Sequence, residues 1–425
     1  MFEAAYRQRL EADLTRWQND GVIAPGVGEA IRARLGPAPT GVNIPTVVAI
    51  VGALLIAAAF LAFVAANWTA IARPARFSLL LAGIAISYAL AAWFDRQGRP
   101  YLADIGATVG SLIFGAAIAL TGQMYHLSGD FSAGILLWAG GALVAAALTG
   151  ARGALAVALV TGCVWSGMRV IDSNDVPHLP FILFWLITAA MAVAWNAPMA
   201  RHLVALAALT WWILTASSYV SLFNLEPLTI AAAGAALMLG VGLMFATITA
   251  KIAPDSLRSF GRTLSNYGAL AFVIIVAMTV VGILGEPRHA MPLWVAASAV
   301  AGFLLAVVAA AVGPSIGAAM AAIAIAIGVA LSAGLFGSMR AQNDPWLAYA
   351  FALIAMLCLV VSGMLDDMRP RVVAGWIGLA SAIVAITWAV EGSLLKRAAF
   401  LAIAGIVAVA LASLLGRLKL KQVPA

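Results

Sequence analysis

Residues 292–312 read PLWVAASAVAGFLLAVVAAAV, and residues 315–336 read SIGAAMAAIAIAIGVALSAGLF. Neither stretch carries an ionisable side chain, and each matches the roughly 20 apolar residues that a helix needs to cross the hydrocarbon core of a bilayer. No water is present there to satisfy a stray backbone N–H or C=O, so such a segment spans as a helix.

Working outward, the same pattern fills the chain from Pro45 to Leu415. The expected spans are Pro45–Ala66, Ala75–Phe94, Tyr101–Met124, Ser132–Thr149, Gly153–Met168, His178–Trp195, His202–Phe223, Pro227–Thr249, Thr263–Leu284, Pro292–Val312, Ser315–Phe336, Trp346–Met364, Val372–Val390 and Ala398–Leu415. Hydrophobic residues make up 64% of the 425 and charged residues only 10%, outside the range of a soluble globular chain. The fold class is therefore all-α: a polytopic transmembrane helical bundle of about 14 spans, with a short N-terminal cytoplasmic helical hairpin. The expected divisions are a hairpin over 1–43, a transmembrane helical domain over 44–416 and a basic tail over 417–425. The polar N-terminal segment lacks an early apolar core, which excludes a cleavable signal peptide.

Loop charges set the orientation, because Lys and Arg accumulate on the cytoplasmic side. With a cytoplasmic N-terminus, 17 of the 24 Lys and Arg fall in inside segments and 7 outside. An odd span number would put the basic tail on the wrong side. The net charge of +7 is thus assigned to orientation and anionic lipid rather than to nucleic acid. Membrane lipids are the expected partners. Ala and Gly abound within the spans, as close helix packing in lipid requires; Gly106, Gly110 and Gly115 form one such face. Cys163 and Cys358 lie within spans and read as packing residues.

In the head, Tyr6, Leu10, Leu14 and Trp17 recur near the helical period, and Asp20-Gly21 breaks the helix. Pro25 suits the first turn of a second helix carrying Ile23, Val27, Ile31 and Leu35 on one stripe. Such a hairpin is too small to stand alone. It docks on the membrane domain or on lipid, or it presents Tyr6, Leu10, Trp17 and Ile23 to a protein partner.

Ionisable residues are nearly absent inside the spans, which lowers the case for proton- or sodium-coupled carriage. Polar chemistry collects instead at the expected outer face. One span ends in Ala65-Ala66-Asn67-Trp68 and another in Gly122-Gln123-Met124-Tyr125-His126-Leu127-Ser128-Gly129-Asp130. Gln123 and His126 share a helix face at i,i+3, and Asp130 is placed to reach back to His126. With Trp138, these residues outline an outward polar pocket as a candidate ligand site. The competing reading is structural: interfacial Trp, a cap at Asn67 and turn chemistry at Ser128-Gly129-Asp130. His126, His178 and His289 are expected outside, each near a carboxylate, but no metal-ligand spacing occurs and no metal is expected. No cofactor is expected either, since the chain has no phosphate-binding glycine loop, nucleophile elbow or Cys–His pair. A short echo, Asp95…Arg99-Pro100 and Asp366…Arg369-Pro370, recurs in two inside turns.

Leu14…Trp17…Gly21-Val22-Ile23, Gly52…Ala65-Ala66-Asn67-Trp68, the segment Gly122 to Asp130 and Trp138 together resemble the bacterial membrane proteins grouped as domain of unknown function 2157. The resemblance covers the first third, to about Thr149. It implies a bacterial inner-membrane protein and supplies no reaction, substrate or cofactor. The functional expectation is a non-enzymatic protein that transports or flips a lipid-like or envelope-related substrate. The alternatives are a membrane scaffold or assembly factor that binds through its hairpin, and a membrane-embedded transferase or hydrolase using His126 with Asp130.

Overall fold

The computed structural model describes residues 10, 13, 14, 16–34, 52, 55, 59, 62, 71–126, 129–173, 176–223, 227–247, 255–282, 292–313, 315–334 and 346–389. Among them the regular structure is entirely helical. The expected spans Pro45–Ala66 (apart from four helical positions) and Ala398–Leu415, and the basic tail, lie outside the described residues. Each of the other twelve expected spans coincides with one helix. These are α2 (Arg73–Arg96), α3 (Pro100–Met124), α4 (Phe131–Thr149), α5 (Arg152–Ser173), α6 (Pro180–Ala194), α7 (Pro198–Phe223), α8 (Pro227–Thr247), α9 (Asp255–Gly282), α10 (Leu293–Val312), α11 (Ile316–Ser332), α12 (Trp346–Leu365) and α13 (Arg369–Ala389); α1 (Pro25–Arg34) precedes them. Among the described residues nine helices, α2–α5, α7–α10 and α12, are long and apolar enough to cross a membrane, and α6 and α11 are apolar but shorter.

The chain divides into two compact units, Met1–Ala117 and Ile118–Ala425. In the first, the helical residues before Asp20 end at Gly21, whose φ of +70° is the left-handed conformation that glycine adopts without strain. Pro25 opens α1, and Gly28 sits against the side chain of Gln18, so the two hairpin helices touch where a Cβ would not fit. Leu14 is fully buried. The expected apolar stripe is split, however, because Trp17 and Val27 are exposed. Further on, Gly106 and Gly110 of α3 meet Ala91 and Tyr88 of α2, and the Tyr88 hydroxyl lies 3.1 Å from Ser111 Oγ.

The second unit is organised around α8, whose small residues leave no room for side chains at its contacts. Gly240 abuts the backbone of Gly302 in α10, while Gly242 and Gly261 bring α8 onto α9. Phe272 and Val276 of α9 fill the space left by Gly328 of α11. A core of Ala, Leu, Val and Phe side chains continues from these helices to Tyr349, Met356 and Leu359 of α12. Without a hydrophobic drive between helices in lipid, this close approach supplies the dispersion contacts that hold them together.

Candidate functional site

The second unit contains a cavity of about 1020 Å³. It runs along α6 from Pro177 and Leu179 to Val193 and Ala194, and its far walls are Trp211 and Trp212 of α7, Leu237, Met238, Val241 and Phe245 of α8, Leu257, Phe260 and Leu264 of α9, and Trp294 of α10. At 1.5 Å per residue, the 15 residues of α6 give the cavity a length of about 22 Å, most of the depth of a hydrocarbon core.

Local packing fixes the aromatic walls. Gly234 of α8 lets the Trp212 indole lie flat against the helix, and Trp212 stacks on Trp294 with centroids 6.0 Å apart. Trp211 meets Trp212 edge-on at 5.1 Å. Two of the indole N–H groups bond within the bundle: Trp211 Nε1 donates to the His178 carbonyl at 3.0 Å and Trp185 Nε1 to the Val204 carbonyl at 2.8 Å. Ser298, the one hydroxyl-bearing residue of the lining, donates to the Trp294 carbonyl at 2.8 Å. No charged side chain lines the cavity. Such largely apolar walls suit hydrocarbon better than an ion or a sugar.

Charged residues stand near the Ala194 and Leu257 end. Asn196, with φ +47°, follows the cavity-lining Ala194 after one residue, and its Oδ1 accepts from Arg201 Nη1 at 2.9 Å. Arg201 Nε is buried with no hydrogen-bond partner. His202 packs on Tyr267 at 5.8 Å, seating the first turn of α7 on α9. Arg258 directly follows the lining residue Leu257 and lies 3.4 Å from Asp255.

A second polar cluster lies where the ends of α11, α12 and α13 meet the body of α9. Arg371, only 1% exposed at the start of α13, donates to Asp366 Oδ2 at 2.7 Å and Ser362 Oγ at 2.9 Å, both on the last turn of α12 or just past it. Its other terminal nitrogen reaches Ser265 Oγ of α9 at 3.2 Å. Ser315 Oγ donates to Asp366 Oδ1 at 2.7 Å while accepting from Ala318 N, so one hydroxyl both caps α11 and ties it to α12. Gly317 makes room for the Asp366 carboxylate. The starts of α11 and α13 and the end of α12 thus share one side, which is the alternation that successive crossings require. Among the described residues no group of His, Cys, Asp and Glu is arranged to hold a metal.

The residues singled out in the sequence are scattered. Tyr6, Asn67 and Trp68 lie outside the described residues. Gln123 ends α3 exposed, and Tyr125 and His126 form the exposed turn after it, His126 at φ +52°. The Asp130 carboxylate caps α4 by accepting from Ser132 N at 2.8 Å and lies 3.6 Å from Arg169, so the contacts expected of it toward His126 are made to other groups. Trp138 is half-buried in α4. Leu10 and Ile23 are half-buried in the head. His178, expected as an outer-loop residue, is buried: its Nδ1 is 3.1 Å from Ser166 Oγ and its ring meets Trp165 edge-on at 4.5 Å. Neither the aromatic cavity nor the buried Arg371 was singled out from the sequence. The signals available were Trp211-Trp212 inside a span, and the Asp366…Arg369-Pro370 echo beside Arg371.

These features define a polytopic helical membrane protein with an apolar, aromatic-walled intramembrane cavity. Residues 15–155 match the family model described as predicted membrane protein (DUF2157), about a third of the chain, and the cavity lies entirely beyond that segment. No curated protein and no solved structure matches the chain.

Proposed function

We propose that this protein is a carrier in the bacterial inner membrane, both termini cytoplasmic, that accommodates the hydrocarbon part of a lipid-like or envelope-related molecule in the second-unit cavity and transports or flips it. The observation that carries this reading is the cavity itself: its volume is at the top of the usual ligand-site range of about 300–1,000 Å³, and its lining is almost wholly apolar, with no charged side chain. The bias of basic residues supports the orientation and would put the Ala194 and Leu257 end on the cytoplasmic side.

Native mass spectrometry of the protein released from lipid nanodiscs tests the reading. The wild type is expected to retain a discrete lipid adduct. Ala189→Phe with Ala208→Phe, which fills the cavity, removes it, while Gln123→Ala with His126→Ala keeps it. Retention in the filled variant, or absence from the wild type, contradicts the proposal. A partner-binding head remains the second reading, favoured by the exposure of Trp17, Val22 and Val27 on the hairpin. On that reading, deletion of residues 1–39 abolishes recovery of a partner and spares the lipid adduct.

A further inference from the structure

We infer that the cavity's occupant is a lipid with two hydrocarbon chains lying side by side, each about 16–18 carbons long. The inference rests on the hydrocarbon reading of the cavity and adds a chain number and a chain length to it.

The dimensions set both numbers. Phe181, Trp185, Ala189 and Val193 line the cavity at four-residue intervals, so the slot follows one face of α6 and runs parallel to its axis. An extended hydrocarbon chain advances about 1.25 Å per carbon, because each bond of about 1.5 Å is inclined to the chain axis. The slot's length of about 22 Å therefore takes about 17 carbons. A cavity of about 1020 Å³ over that length has a mean cross-section of about 46 Å². Carbon atoms of neighbouring chains touch at about 4 Å, which gives one extended chain a cross-section of roughly 20 Å². A single chain would leave half of the space empty and one wall without dispersion contacts, whereas two side by side fill it.

The slot is also open in the direction that a two-chain lipid needs. Phe181, Ala189, Trp211, Met238 and Phe260 form a buried back wall. A second row on α6, Ile182, Leu186 and Ala190, lines the same cavity and is exposed, 37% at Ile182 and 53% at Leu186. The α6 helix packs on α5 and α7 and touches α9, while α8 and α10 face it across the cavity. Apolar residues exposed in a row along an apolar helix open the slot sideways to bilayer hydrocarbon. Two chains joined at one head slide in together through such an opening, and neither meets a charged side chain in the lining.

The test uses the full-length protein in detergent, offered equal concentrations of dipalmitoyl phosphatidylglycerol and its monopalmitoyl lyso form, with retained lipid read by native mass spectrometry. The headgroup is the same in both, so only chain number differs. The wild type is expected to retain one two-chain lipid in preference, by about tenfold or more. Ala189→Phe alone, which narrows the slot at mid-height, is expected to lose that preference and keep a one-chain adduct. In a series of two-chain lipids, retention is expected to rise with chain length and level off near about 17 carbons. Equal retention of the two lipids by the wild type, a preference for the single chain, or displacement of the two-chain lipid by a polyprenyl phosphate overturns the inference while leaving the hydrocarbon reading standing. An unchanged preference in Ala189→Phe, or retention independent of chain length, does the same. Absence of any adduct from the wild type overturns both.

Discussion

Arg371 occupies a position that hydropathy reads as a loop charge, yet its guanidinium is buried among Asp366, Ser362 and Ser265. A short turn through Asp367, at φ +53°, folds α13 back onto α12, and Gly363 lets the backbone at Arg371 and Val372 come close. A buried ion pair is costly to assemble, and removing one partner is costlier still, because the other is left desolvated. Arg371→Met is therefore expected to destabilise the protein by about 3–5 kcal/mol in detergent unfolding, with partial recovery in Arg371→Met/Asp366→Asn. A neutral single variant would show that the cluster does not tie the helices. Sequence alone showed the charge and its Asp…Arg-Pro neighbourhood but not the burial, because that depends on Ser265, 106 positions away. Asp130 was read both as a candidate ligand residue beside His126 and as turn chemistry, and its capping of α4 is of the second kind.

At the scale of elements, helix positions followed from hydropathy because the bilayer requires long apolar runs, so each described span falls on one helix. Boundaries moved where polar residues extend a helix past the apolar run. The α9 helix starts at Asp255 rather than Thr263, carrying Leu257 to the cavity lining. What composition could not show is which glycine faces which helix. Gly240 meets the Gly302 backbone, whereas Gly140 of α4 has open space around it. Helix propensity alone favours Ala over Gly by about 1 kcal/mol at both positions. The packing predicts opposite outcomes: Gly140→Ala is neutral or stabilising, and Gly240→Ala lowers the melting temperature by forcing α8 and α10 apart. Equal effects at the two sites would contradict the account of α8 as the tightly packed centre of its unit. The cavity was illegible for a related reason. Nothing in the sequence links Trp185, Trp211, Trp212 and Trp294, which lie on three different helices, and Gly234 admits the Trp212 ring that joins them.

For the whole molecule, the sequence supports a membrane bundle with an orientation, and the orientation is testable independently of any ligand. Single cysteines at Gln97 and Gly129, in a background lacking Cys163 and Cys358, flank α3. Impermeant thiol reagents are expected to reach Gly129→Cys from outside intact cells and Gln97→Cys only after the inner membrane is opened. Labelling of both from one side would break the topology. The central claim is that hydrocarbon occupies the slot between α6 and the aromatic wall of α7, α8 and α10. A cryo-electron microscopy map of the protein in lipid nanodiscs tests it directly. The account predicts elongated density running along α6 past Trp212. A slot closed by collapse of α6 onto α8, or filled by rearranged tryptophans, would contradict it.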